Sequence, residues 1–310
     1  MERTFMACLS PFHQRKCIFH VTNDETMALF ASLTTEIKNL QISLANNSLT
    51  LQWCIEAMTL LQKLHSEFLL IILEKLKVPF TWNCAFNNLL NLYMNESLNI
   101  MELCNMLKSS SCKINMYRLR VDITIKNLNN YGREAFANME SIQRENKRIH
   151  DEICQEMKRD CSNNILYAIR VAISLLYFIL VSVFLYPTSM VEVDKILCNS
   201  PGIYKSFRDS VNGLVTDFQR KYYRDGERWK IGFYEYEEME KAIMQTKAKL
   251  KRGHVEDKEE IKRNKEVILQ KSAALQAGLE KFESQANQVF EEVLKGRNQL
   301  LHMIGKGNGI

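Results

Sequence analysis

Apolar residues recur along this chain in steps of three and four, and no stretch alternates strictly between hairpin turns. The pattern predicts helices throughout. Between residues 24 and 45, Met27, Phe30, Leu33, Ile37, Leu40 and Leu44 fall on one helical stripe, with Asn23 or Asp24 placed to cap its start. A second helix is expected over residues 50–76, where Leu51, Ile55, Met58, Leu61, His65 and Phe68 share a face. Pro79 ends it, because proline cannot donate to the hydrogen-bond ladder. A third starts from Trp82, with Leu89, Leu92, Leu98, Met101 and Leu107 on or beside the buried stripe. It either runs through Ser109-Ser110-Ser111 or breaks there, before Met116 resumes the pattern towards Leu128. Asn129-Asn130-Tyr131-Gly132 is the first clear turn signal, and a more polar helix should follow over residues 134–157, with Phe136, Met139, Ile142, Ile149 and Ile153 facing inward.

The middle of the chain differs from the rest. Residues 171–186 (VAISLLYFILVSVFLY) carry no charge, with Arg170 before them and Pro187 after. A spanning helix needs about 20 apolar residues and a run of about 10 to 14 is a core helix, so this one falls between the two regimes. Two readings stand. In one, Val171, Leu175, Leu176, Phe178, Ile179, Val183 and Phe184 form the central helix of a bundle. In the other, residues 164–186 lie in or across a membrane, with Arg170 extending its charge to the headgroups.

Asn199-Ser200-Pro201-Gly202 marks a loop, and residues 203–222 and 234–250 read as amphipathic helices joined by an exposed connector over residues 224–232. Beyond Gly253, Ile261, Ile268, Leu275, Phe282 and Val289 recur every seventh position, with Ser272, Leu279, Ala286, Val293 and Leu300 four positions on from that register. Ser272, Ala286 and Gly296 weaken the seam. The pattern predicts a long antiparallel hairpin with the preceding helix, packed on the bundle; a dimeric coiled coil is the alternative. The expected fold class is all-α: an elongated helical bundle with a central hydrophobic helix and a C-terminal heptad-patterned helical hairpin. A leader over residues 1–22 precedes one domain over residues 23–302, made of an N-terminal half (23–160), the central helix (163–187) and a C-terminal half (199–302). A frayed tail over residues 303–310 follows.

Composition sharpens this picture. No glycine occurs before Gly132 and only four prolines occur in all, which favours long helices. The net charge of +5 comes from 41 basic and 36 acidic residues without a single-sign block, so nucleic acid is not an expected partner. The nine cysteines form an odd set with no C-x-x-C pair, which reads as reduced, buried thiols in a cytoplasmic protein. The N-terminal stretch lacks a signal-peptide core and a glycine at position 2; a plastid or mitochondrial transit peptide is the weaker alternative.

No phosphate-binding glycine loop, nucleophile elbow or H-E-x-x-H is present, and the six histidines are scattered. His65 and Glu67 sit two residues apart and point to different faces of a helix, which makes His65 a polar or interfacial group. Glu237, Glu238 and Glu240, and Glu259 with Glu260, alternate with lysines as on a solvated, salt-bridged face. Trp229, Phe233, Tyr234 and Tyr236 interleave with Arg224, Arg228 and Lys230; they either pack a loop on the bundle or meet a partner or headgroup. No catalytic residue is assigned and no cofactor or metal is expected.

The segment YMNESLNIMELCN, with Tyr93, Asn95, Ser97, Met101, Glu102, Cys104 and Asn105, resembles the Y-x-[DN]-x-S-x-x-x-L/M-[DE]-x-C-N helix of the plant BYPASS family. Leu51-Gln52-Trp53, opening a helix that closes on His65-Ser66-Glu67-Phe68, is similar to that family's tryptophan-led helix. The stretch from Leu119 to Leu128 and an apolar helix after Tyr167-Ala168-Ile169-Arg170 follow in the same order, so the resemblance extends over roughly residues 24–301. It implies a helical, non-enzymatic regulatory or interaction protein of plant root-to-shoot signalling and development, with unidentified protein partners. A sibling branch implies the alternative of a membrane-anchored scaffold in exocyst-linked secretion. The chain departs from the family pattern in lacking a Pro-Phe-rich leader and in carrying Arg170 where lysine is common.

Overall fold

The computed structural model describes residues 23–46, 48–76, 84–126, 165–184, 205–222, 232–251 and 258–307. All the elements among them are helices: α1 (Asn23–Asn46), α2 (Leu51–Leu76), α3 (Cys84–Lys126), α4 (Ile165–Phe184), α5 (Lys205–Tyr222), α6 (Tyr234–Lys251) and α7 (Lys258–Gly307). The fold class is all-α, as the periodicity predicts. The expected helix over residues 134–157, the loop at 199–202, Trp229 and the leader over residues 1–22 lie outside the described residues.

Helix α7 is the long element. Its 50 residues rise about 75 Å at 1.5 Å per residue, and α2, α3 and α6 all pack along it. Polar contacts fix the directions. Lys249 with Glu260 (2.7 Å) and Lys271 with Glu238 (3.3 Å) pair α6 and α7 as the predicted antiparallel hairpin. Ser111 with Glu283 and Arg118 with Ser272 set α3 antiparallel to α7, whereas Ser66 with Glu292 and Leu51 against Gly278 set α2 parallel to it. The helix continues through Gly307, past the expected limit at residue 302.

Helix α3 runs unbroken through the serine triplet. Ser110 and Ser111 are buried and bond to neighbouring helices, Ser110 Oγ donating to the Phe184 carbonyl at 2.7 Å and Ser111 Oγ to Glu283 at 2.6 Å. A hydroxyl with a partner on an adjacent helix is satisfied without breaking its own helix. Two expectations on α3 are corrected. Leu98 and Met116 are exposed rather than buried, because the inward face of this 43-residue helix is held by Tyr93, Ile100, Leu103, Leu107, Ile114, Tyr117, Val121 and Ile125.

The central apolar helix α4 packs against α2 and α3 and touches α1. Val171, Leu175, Leu176, Ile179, Val183 and Phe184 are buried; Phe178 is half-buried. Arg170 does not extend towards headgroups. Its Nε donates to Glu96 Oε1 of α3 at 2.9 Å, with Glu96 itself buried. The charge-free part of the helix, residues 171–184, rises only about 21 Å, short of a hydrocarbon core about 30 Å thick. Among the described residues no helix is long and apolar enough to cross a membrane.

One junction joins three helix ends. Thr50 Oγ1 accepts from the Trp53 amide (3.1 Å), a normal N-cap for α2, and the Leu51 amide donates to the Glu235 carboxylate of α6 (3.0 Å). The Tyr234 amide donates to the Leu49 carbonyl (2.7 Å), and the Gly232 amide to the Val183 carbonyl at the end of α4 (3.2 Å). Phe184 stacks on Phe282 at 4.4 Å and meets Phe233 at 5.4 Å, closing the junction with apolar rings. Alongside, α5 runs parallel to α1, with Phe207 against Phe30 and Gln41 donating to Asp217 at 2.8 Å. Lys221 Nζ donates to the carbonyls of Leu44 and Ala45, covering the last carbonyls of α1.

Candidate functional site

The motif helix segment presents two faces. Tyr93, Ser97 and Cys104 point inward and Met101 is half-buried, while Asn95, Glu102 and Asn105 are exposed. Tyr93 and Ser97 help build a polar layer where α2, α3 and α7 meet. Tyr93 Oη lies 3.0 Å from His65 Nε2, with their rings 5.5 Å apart, and Phe68 meets the Tyr93 ring edge-on. Arg297 of α7 donates to the Met94 carbonyl (2.5 Å) and to Ser97 Oγ (2.6 Å), and Ser97 Oγ donates to the Met94 carbonyl in turn (3.0 Å). Glu292 accepts from Ser66 Oγ (2.5 Å) and from the Gln62 amide, whose oxygen accepts from Gln285 (2.9 Å).

Gly296 lets this layer form. A Cβ there would stand 2.8 Å from Tyr93 Oη, 2.8 Å from Leu69 Cδ2 and 3.2 Å from His65 Cε1. Only a residue without a side chain brings α7 this close to two rings.

Electrostatics follow from the burial. Desolvation lowers the His65 pKa from 6.5 to about 4, with Glu292 opposing and Arg297 assisting, so the imidazole is neutral. Its Nδ1 is buried and has no hydrogen-bond partner among the described residues. Burial pushes the Glu292 carboxyl up, but bonds from Gln62 and Ser66, helped by the Lys295 charge, outweigh it and hold the group below its ordinary range. Burial raises the Tyr93 phenol and takes the Cys104 thiol to about 12, which leaves both protonated and unreactive at neutral pH.

A second polar layer lies farther along the same seam. Arg118, buried in α3, donates to Asn115 (2.8 Å), Asp122 (2.8 Å) and Ser272 of α7 (3.4 Å). Tyr117 donates to Glu240 beside the Tyr236 ring, and burial with the Glu240 charge raises its pKa. These groups hold helices in register. The depression lined by Glu291, Leu294, Lys295, Asn298 and Gln299 is open to solvent on the outer side of α7. Among the described residues no His, Cys, Asp and Glu cluster is disposed to hold a metal.

The charged and aromatic groups of α6 divide between surface and core. Glu238 pairs with Lys241 (3.1 Å) and Lys271, the salt-bridged face its spacing predicts, but Glu240 turns inward to Tyr117. Phe233 and Tyr236 are buried and Tyr234 is exposed, so this part of the aromatic patch packs rather than protrudes. Cys54 and Cys104 are buried free thiols; Cys112 is exposed, contrary to the expectation that the cysteines are buried. Periodicity does not single out Arg118, Glu292 or Arg297. Their signal is indirect: the small residues Ser272 and Gly296 in the α7 seam stand opposite them or beside them.

No family model, curated protein or solved structure matches the chain.

Proposed function

We propose that the chain is a non-enzymatic interaction protein, a stiff helical scaffold whose outer faces recruit protein partners in plant developmental regulation, as its resemblance to the BYPASS family implies. The observation that carries this reading is the division of labour in the motif segment. Tyr93 and Ser97 are locked into contacts between α2, α3 and α7 and Cys104 is buried, while Asn95, Glu102 and Asn105 stay at the surface. Such a motif fixes the shape of a surface and leaves polar groups on it for recognition.

Proximity labelling in plant root cells tests this. The full chain fused to a labelling enzyme should mark a reproducible set of proteins with roles in developmental signalling. A labelled set indistinguishable from that of the free labelling enzyme would overturn the reading.

A further inference from the structure

Helix α3 carries a second stripe, on its exposed side. Cys112, Met116, Leu119 and Ile123 follow one another at spacings of four, three and four, and all are exposed: Met116 by 51%, Leu119 by 45% and Ile123 by 59%. Exposed apolar residues scattered singly need no explanation, but four in one a/d seam form a patch. Lys108 and Lys113 border it at one end, and Lys126 at the other. Of the acidic groups beside the seam, Asp122 is bonded to Arg118 at 2.8 Å and Glu283 of α7 accepts from Ser111 at 2.6 Å.

Resting on the interaction-protein reading above, we propose that this outer face of α3 is the docking seat for an amphipathic helix of a partner protein, with Leu or Ile at its a and d positions and Asp or Glu beside them. A single a/d row is the width of a coiled-coil seam, whereas a helix that lies on a membrane presents a broader apolar face. The basic border sets the sign of the partner's charge, because e and g residues choose partners by charge complementarity. A second copy of this chain is disfavoured on the same ground: its stripe carries the same lysines in either orientation.

The test uses the full chain and two labelled synthetic heptad helices identical except for Glu or Lys at the e and g positions. Fluorescence anisotropy should show the Glu helix binding and the Lys helix not, with binding weakened by salt. The double variant Leu119→Asp with Ile123→Asp should lose about ten-fold or more in affinity with unchanged circular dichroism, since both positions are exposed. Lys113→Glu with Lys126→Glu should reverse the preference between the helices. Equal binding of both helices, or of neither, overturns the seat. So does binding to phosphatidylserine vesicles that Leu119→Asp abolishes while neither helix binds, which would assign the stripe to a membrane surface. A dimer in sedimentation that Leu119→Asp dissociates would assign it to a second copy, and tighter binding of a synthetic 134–157 peptide would assign it to the chain's own segment. If the helices fail while proximity labelling still returns partners, the seat is wrong and the wider reading survives.

Discussion

At the scale of single residues, the interface of α2, α3 and α7 is decided by atoms too close for any alternative. Gly296→Ala gains about 1 kcal/mol of helix propensity but must displace buried groups at 2.8 Å, an overpacking cost of about 1 to 3 kcal/mol. The net expectation is a lower Tm. A methyl added at Gly305 would meet nothing within 4 Å, so Gly305→Ala should leave Tm unchanged or raise it slightly. Thermal melts of the two variants check the contrast. His65 adds a pH dependence. Its pKa falls from 6.5 in the unfolded chain to about 4 in the fold, so between those values the unfolded state binds the extra proton and stability declines as pH falls. Up to about 3 kcal/mol is lost across that window. Urea unfolding from pH 7 to pH 4.5 should show the decline, and His65→Phe should flatten it.

At the scale of the helices, the weak points of the heptad seam are matched to what lies across from them. Ser272 meets the buried guanidinium of Arg118, and Gly296 meets Tyr93 and His65. Replacing Ser272 by Leu would restore an apolar seam by pattern alone. It should instead destabilise by about 1 to 3 kcal/mol, because a buried Arg118 donor loses its acceptor and a larger side chain crowds it. Denaturant midpoints of wild type and Ser272→Leu check this. Local periodicity makes some of these features legible in the sequence and hides others. Stripe spacing locates the ends of α4 to within a few residues and the antiparallel pairing of α6 with α7, since both depend on neighbouring positions. It misplaces Leu98 and Met116 because α3 carries apolar residues on two sides, and periodicity does not say which side the rest of the chain covers. The polar layers are invisible to it because their bonds to α6 and α7 join residues about 120 to 230 positions apart, where no local pattern reaches.

At the scale of the whole molecule, the apolar helix α4 is held among helices from the N-terminal half, and its end is closed by α6 and α7 through Gly232, Phe233 and Phe282. A charge placed inside it has no partner. Leu176→Asp should therefore cost several kcal/mol, whereas Glu238→Ala, at a partly exposed pair, should cost about 1 kcal/mol or less. Equal Tm values for the two would contradict the burial of Leu176. The most direct measurement is amide hydrogen exchange of residues 165–184 in the full chain, in buffer without detergent or lipid. The account predicts protection as strong as that of the centre of α7, lost only in global unfolding. Rapid exchange of α4 while α7 stays protected, or a chain that stays in solution only with detergent, would contradict it.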